Sequence, residues 1–295
     1  MPAAPLVVAA VIAVAAITTQ IGIFLTHRCE FDCLGYGYLR EGHRGKQILL
    51  SPTDVDAIEA DFDILTRPNA TLAAIMGRDY GDQSKGFDVD PADFELVNVN
   101  NPGRHLPGFS DNALTRLTDE WASRRGLTRD YEQLLEKRPR ATAAAFPWHQ
   151  DMQYWPKRAP EGASTRTVTF SLALTDADAD AGCLQVIPGS GTAQQLLSDR
   201  GAAASGGSNE RAIELPLTEA ELGSARPVPV KRGQVTMHDE WIVHGSGGNA
   251  KATPRKTYVV AYRDAKMVEY ERSIGFSHSY NDDPDVLRKV RAGEL

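Results

Sequence analysis

Cysteine is scarce in this chain. Cys29, Cys33 and Cys183 are the only three among 295 residues, a small odd set that supplies no disulfide framework. Cys29 and Cys33 have no second pair at zinc-finger spacing, so they read as ordinary residues, and a bridge between them would need an oxidising compartment. Basic charge is also short. Lys and Arg number 32 against 39 Asp and Glu, a net charge of −7, and no Lys/Arg-rich run occurs, so nucleic acid is not expected as a partner. No repeat of solenoid period is present. Charged side chains are missing altogether before Arg28.

That last absence frames an apolar run from Pro5 to Ile17 that resumes at Ile21–Leu25. Residues 5–25 reach the length needed to cross a bilayer as a helix, although the positive n-region of a signal peptide is missing. Residues 1–27 therefore read as a membrane anchor or targeting segment. Arg28, Arg40, Arg44 and Lys46 follow it, which places the remainder on the cytoplasmic side. The alternative is a soluble cytoplasmic or organellar protein with an Ala/Val-rich buried segment. Residues 28–277 read as one domain and 278–295 as a tail. A composition of 42% hydrophobic and 24% charged residues is ordinary for a globular protein.

Helices come first along the chain. Ser51-Pro52-Thr53-Asp54 is a helix start, with Val55, Ile58, Phe62 and Ile64 on one face. A second helix is expected from near Asp111 to Arg125, ending at Gly126, and a third from about Thr128 to Lys137. From about residue 140 the pattern changes to strands: 166–174, 183–187, 226–230, 234–243 and 257–262, separated by Gly/Pro turns such as Pro188-Gly189. The polar stretch Gly201–Arg211 reads as a loop. The class is mainly β with flanking helices, a sandwich or barrel.

The chemistry concentrates in Phe146-Pro147-Trp148-His149-Gln150-Asp151 and in His244-Gly245-Ser246 with Arg255. Residues i and i+2 of a strand share a face, so His149 and Asp151 can reach one metal, with a third ligand from a distant segment. Two histidines and a carboxylate suit mononuclear Fe(II) and leave positions open. His238 and His244 have the same strand parity and compete for the third place. Ser246 and Arg255 favour His244. A turn at Gly247-Gly248-Asn249 would fold Arg255 back beside the ligand strand. There its planar fork, with the Ser246 hydroxyl, would grip the far carboxylate of 2-oxoglutarate. Trp148, Tyr154, Trp155 and Trp241 flank the motifs as core or pocket wall. Lys157 and Arg158 follow the motif and would meet an anionic substrate group if one is present.

These runs, together with Gly182-Cys183-Leu184-Gln185-Val186-Ile187-Pro188-Gly189-Ser190, resemble the phytanoyl-CoA dioxygenase family over roughly residues 95–265. That family comprises Fe(II)- and 2-oxoglutarate-dependent oxygenases on a double-stranded β-helix, a jelly-roll, cupin-like core. The resemblance implies His149, Asp151 and His244 as iron ligands, and Arg255 with Ser246 on 2-oxoglutarate. Phe146 matches a position that lines the co-substrate in ectoine hydroxylases. Gln150 matches one near the co-substrate in phytanoyl-CoA hydroxylase. Thr169 and Ser171 fall on a strand that contributes pocket residues. Met152-Gln153-Tyr154-Trp155 departs from the ectoine-hydroxylase signature, so that substrate does not transfer. Asp151 stands where related halogenases carry a small residue, which argues for hydroxylation. The expected substrate is a small molecule or an acyl, lipid-like compound, oxidised at an unactivated C–H bond with O2. A cupin-like isomerase or binding protein is the competing expectation, and it has no need of a carboxylate clamp.

Overall fold

The computed structural model describes residues 36–40, 47–86, 89–200, 215–277, 284–292 and 294. The apolar run at 5–25, Cys29, Cys33 and the loop 201–211 lie outside the described residues. No helix among the described residues is long and apolar enough to cross a membrane.

Among the described residues, eleven strands form two antiparallel sheets. They are β1 (Tyr36–Tyr38), β2 (Tyr80–Asp82), β3 (Leu96–Asn100), β4 (Leu127–Lys137), β5 (Phe146–His149), β6 (Thr167–Ala173), β7 (Leu184–Val186), β8 (Arg226–Val228), β9 (Val235–Asp239), β10 (His244–Ser246) and β11 (Arg255–Asp264). The large sheet runs β1-β9-β6-β11-β4-β3-β2 and the small one β5-β10-β7-β8. This is the expected double-stranded β-helix. Pro147 is tolerated because β5 is an edge strand.

The large sheet has one apolar and one mixed face, because side chains alternate along each strand. Val168, Phe170 and Leu172 of β6 join Tyr258, Val260 and Tyr262 of β11 in the main core. Helices α1 (Pro52–Thr66) and α3 (Ala113–Ser123) cover that face with Val55, Ile58, Phe62, Leu114 and Ala122. The intervening residues Thr169, Ser171, Thr257, Val259 and Ala261 face a cavity between the sheets. The remaining helices are α2 (Ala70–Met76), α4 (Glu219–Ser224), α5 (Ala265–Ser273) and α6 (Pro284–Arg291).

Several expectations are corrected. Helix α1 starts as read, capped by Ser51, but Ile64 is 46% exposed and Leu65 is buried in its place. The segment 128–137 is a strand, not a helix. Its Glu, Gln, Leu and Lys residues favour helix locally, but β4 is held on both sides by β3 and β11, and this pairing overrides propensity. The single strand read at 234–243 is two: β9 in the large sheet and β10 in the small one, joined by a turn. The chain also crosses between sheets after Ser246. Arg255 therefore reaches the cavity from the opposite sheet, not by a hairpin onto β10.

Candidate active site

Asp151 is the hub of the site. It lies just beyond β5, in the first position of a 3-10 turn (Asp151–Tyr154), not on the strand itself. Its two oxygens have different neighbours. Oδ1 lies 3.5 Å from Nε2 of His149 and 3.5 Å from Nε2 of His244. Oδ2 lies 3.3 Å from Nε2 of His238 and 3.4 Å from Oγ1 of Thr169. The ligand atoms of His149, Asp151 and His244 all fall within 4.8 Å of one another, a spacing at which one ion reaches all three.

Backbone contacts orient both imidazoles of that set. Nδ1 of His149 lies 2.8 Å from the Pro147 carbonyl oxygen, and Nδ1 of His244 lies 3.0 Å from that of Ile242. A carbonyl only accepts, so each Nδ1 carries the proton and each Nε2 presents its lone pair to the Asp151 side. This is the usual way a metal-binding histidine is fixed. Strand pairing sets the separation, since His244 and His149 are directly opposite on β10 and β5. Burial, with His149 and His238 close by, pushes the His244 imidazole well below its ordinary value, so it stays neutral and able to ligate. Burial alone would raise the Asp151 carboxyl. The neighbouring imidazoles, His244 foremost, outweigh it and hold the group well below the usual carboxylate range.

His238 is thereby separated from His244. It stands on β9 in the large sheet, opposite Thr169 of β6, and meets the oxygen of Asp151 that faces away from the other two histidines. With Thr169 it fixes the carboxylate's rotation.

At another end of the cavity Arg255 is 8% exposed. Its Nε has no hydrogen-bond partner, and no carboxylate among the described residues pairs with it. Burial pushes the guanidinium down to about 10, so it remains charged at neutral pH. Lys137, fully buried, is its cross-strand neighbour. Lys137 Nζ donates to Ser246 Oγ at 2.6 Å and to the Gly247 carbonyl. Burial first, and Arg255 second, push its ammonium down to about 6. Two buried basic groups without an acid are costly, and an anionic ligand would relieve that cost. Tight packing around Ser246 follows from glycine. At Gly182, φ is +71° and a Cβ would overlap the carbonyl oxygens of Gly247 and Gly248. Asn249 ties the same turn to β4, its amide donating to the carbonyls of Lys137 and Arg138 at 3.3 and 3.1 Å.

The cavity, about 230 Å³, is lined by His149, Asp151, His244, Ser246 and Arg255, and also by Phe146, Thr169 and Ser171. Gln150 is not brought to it. That side chain is fully buried and turned to the backbone. Nε2 donates to the carbonyls of Trp241 at 2.6 Å and Gln195 at 3.1 Å, and Oε1 accepts from the Leu197 amide at 2.8 Å. Trp148 packs in a satellite core with Leu197 and Val243, whereas Tyr154 and Trp155 line the cavity. Lys157 and Arg158 are exposed and away from it. Lys137 escaped sequence reasoning because its segment read as a helix. The signal available was its place at the far end of the same run of residues that precedes Phe146.

A double-stranded β-helix with two histidines and one carboxylate converging beside buried basic groups defines a metal-dependent, anion-binding enzyme class. The chain belongs to the phytanoyl-CoA dioxygenase (PhyH) family, whose profile matches residues 36–257. Members of that family work with Fe(II) and 2-oxoglutarate, and the donor set of His149, Asp151 and His244 fits such an ion. No curated protein sequence matches the chain. Among solved structures, EvdO2 from Micromonospora carbonacea var. aurantiaca is 23% identical, with a TM-score of 0.60 over 80% of this chain and 89% of that one. The non-heme alpha ketoglutarate dependent carbocyclase SnoK from nogalamycin biosynthesis is 21% identical, with a TM-score of 0.56 over 80% and 81%. EctD from S. alaskensis, solved with 2-oxoglutarate and 5-hydroxyectoine, is 17% identical, with a TM-score of 0.56 over 88% and 84%. At these identities the likeness is one of fold.

Proposed function

We propose that this chain is an Fe(II)/2-oxoglutarate-dependent dioxygenase that hydroxylates an unactivated C–H bond of a small-molecule substrate. The observation that carries the reading is the convergence, in one cavity, of three ligand atoms within 4.8 Å and a buried Arg255 with no acidic partner among the described residues. His149, Asp151 and His244 would hold the iron. Arg255, Ser246 and Lys137 would hold the far carboxylate of 2-oxoglutarate, with Phe146 packing against it.

The iron and its co-substrate, when bound, supply the oxygen activation that side chains cannot perform. The chain's own contribution is positioning. The Pro147 and Ile242 carbonyls fix which nitrogen of each imidazole faces inward, and His238 and Thr169 hold the Asp151 carboxylate. Arg255 and Lys137 set the direction of the dicarboxylate through charge-assisted bonds. Tyr154, Trp155 and Phe276 wall the cavity and keep water from the reacting carbon.

Aerobic and anaerobic succinate formation with Fe(II), 2-oxoglutarate and a substrate panel tests the reading, with His149→Ala as the inactive control. Oxygen-dependent succinate release that disappears in the control is expected. None across the panel would count against an oxygenase. Product mass separates the outcomes that one such site can host. Hydroxylation adds one oxygen atom. Ring closure, as in the carbocyclase SnoK, removes two hydrogens, and epimerisation, as in SnoN, leaves the mass unchanged.

A further inference from the structure

The cavity wall opposite the small sheet carries two amides and a phenol. Gln83, Tyr131 and Gln133 line it, and a second layer of Asn98 and Asn100 stands behind them. Tyr131 gives its phenol proton to Asn100 Oδ1 at 2.6 Å, and Gln133 Nε2 donates to Asn98 Oδ1 at 2.6 Å. Asn98 Nδ2 in turn reaches Asn100 Oδ1 at 3.4 Å. The backing layer is fully buried, so the Tyr131 phenol and the Gln133 amide in front of it are held in orientation. Two atoms are buried without a partner: Asn100 Nδ2 in the layer behind, and Gln83 Oε1 on the cavity lining itself. Buried polar atoms are nearly always paired, and an orphan beside a cavity marks a group that a ligand completes.

The other walls narrow the ligand's chemistry. Among the described lining residues, Asp151 and Arg255 are the only Asp, Glu, Lys or Arg, and both are already assigned. Among the described lining residues no further basic group remains for phosphates, and the exposed Lys157 and Arg158 do not line the cavity. Trp155 and Phe276 present apolar faces, backed by Val290 of α6. An alkyl chain would satisfy that face but leave Gln83 Oε1 without a partner. A ring with hydroxyl groups satisfies both: its C–H face lies on an aromatic ring, and its hydroxyls bridge amides.

We infer that the substrate is a neutral, polyhydroxylated ring compound of glycoside type, not an acyl-CoA or fatty acid. Gln83 and Gln133 hydrogen-bond its hydroxyls, and Trp155 and Phe276 stack on its apolar side. This rests on the oxygenase reading only for the reaction that follows binding; the wall itself can be tested without turnover.

The test is saturation-transfer NMR on the full chain, anaerobic, with and without Fe(II) and 2-oxoglutarate. The probes are phenyl β-D-glucopyranoside and decanoyl-CoA. The expected result is transfer to the sugar ring protons of the glycoside and none to decanoyl-CoA, with glycoside affinity falling at least about tenfold in Gln133→Leu and in Tyr131→Phe. Binding of decanoyl-CoA, no binding of the glycoside, or glycoside binding that ignores both variants would overturn the inference. Titration of 2-oxoglutarate in the same samples separates the two readings. Failure there sinks the co-substrate assignment and leaves the glycoside result standing, and retained binding in each variant shows that it has folded.

Discussion

Lys137 and Arg255 are cross-strand partners, opposite one another on β4 and β11 with no acid between them. Burial first, and the Arg255 charge second, push the Lys137 ammonium down to about 6. Lys137→Met should therefore weaken 2-oxoglutarate binding by about tenfold to a hundredfold, the range of one or two kcal/mol-scale hydrogen bonds to a charged group. Arg255→Ala should do at least as much, while metal affinity is kept in both. Loss of metal from either variant, measured by equilibrium dialysis, would break the division of roles drawn above.

The same pair predicts a pH dependence. Lys137 is charged below about 6 and neutral above it, and a carboxylate prefers the charged form. Binding of 2-oxoglutarate should take up a proton near pH 7, and its dissociation constant should rise with pH by at most about tenfold per unit. Calorimetry in two buffers of different ionisation enthalpy reads the proton directly. Release of a proton would contradict the sign.

His238 and His244 should separate experimentally. His244→Ala removes a proposed ligand and should abolish tight metal binding. His238→Ala leaves the triad but frees the Asp151 carboxylate that Nε2 meets at 3.3 Å, and should cost about 10–100-fold in metal affinity. Equal loss in both variants would return His238 to the ligand set.

Glu240 offers a stability test away from the chemistry. It is buried beside the start of β6, accepting from the Thr167 amide at 2.9 Å, and burial pushes its carboxyl up to about 8. A carboxylate raised in the folded state binds more protons there than when unfolded. Its contribution is fully present below about 4.5 and is lost as pH climbs through about 8. Glu240→Gln should leave the melting temperature at pH 5 nearly unchanged and raise it at pH 8. The difference should be on the order of a few kcal/mol, at about 1.4 kcal/mol per unit. A lower melting temperature at pH 8 would reverse the argument.

Gln150→Ala should destabilise by about 2–4 kcal/mol, since it removes hydrogen bonds to three backbone groups, the buried Leu197 amide among them. Co-substrate affinity should hold in the folded fraction. A chemical denaturation curve alongside a 2-oxoglutarate titration distinguishes this from a direct contact.

The residues that were legible in sequence share one property: their spacing is short or their chemistry unusual. His149 and Asp151 are two apart, and Ser246 follows His244 by two, so local geometry alone brings them near each other. Arg255 stood out by its place beyond His244, across the turn at Gly247-Gly248-Asn249. What was hidden depended on pairing between distant strands. Lys137 sits in a run of helix-forming residues and becomes a pocket neighbour only because β4 is flanked by β3 and β11. Ser246 and Arg255 already favoured His244 over His238; the sheet crossing at 240–243 that puts the two histidines on different sheets is what strand parity cannot reveal. Gln150 looked like a co-substrate contact from its position in the motif. The turn that begins at Asp151 rotates it toward the Trp241 and Gln195 carbonyls instead.

Trp155 faces the cavity on one side and has the Arg263 guanidinium 4.4 Å from its ring, with Val290 of α6 in the same apolar cluster. That arrangement makes the indole an optical reporter. Its emission depends on the cation beside it and on the water in front of it, so filling the cavity should change intensity and colour without any added label. A dye on the exposed Lys289 of α6 would read the same wall from behind, giving two independent signals for screening compounds against one pocket.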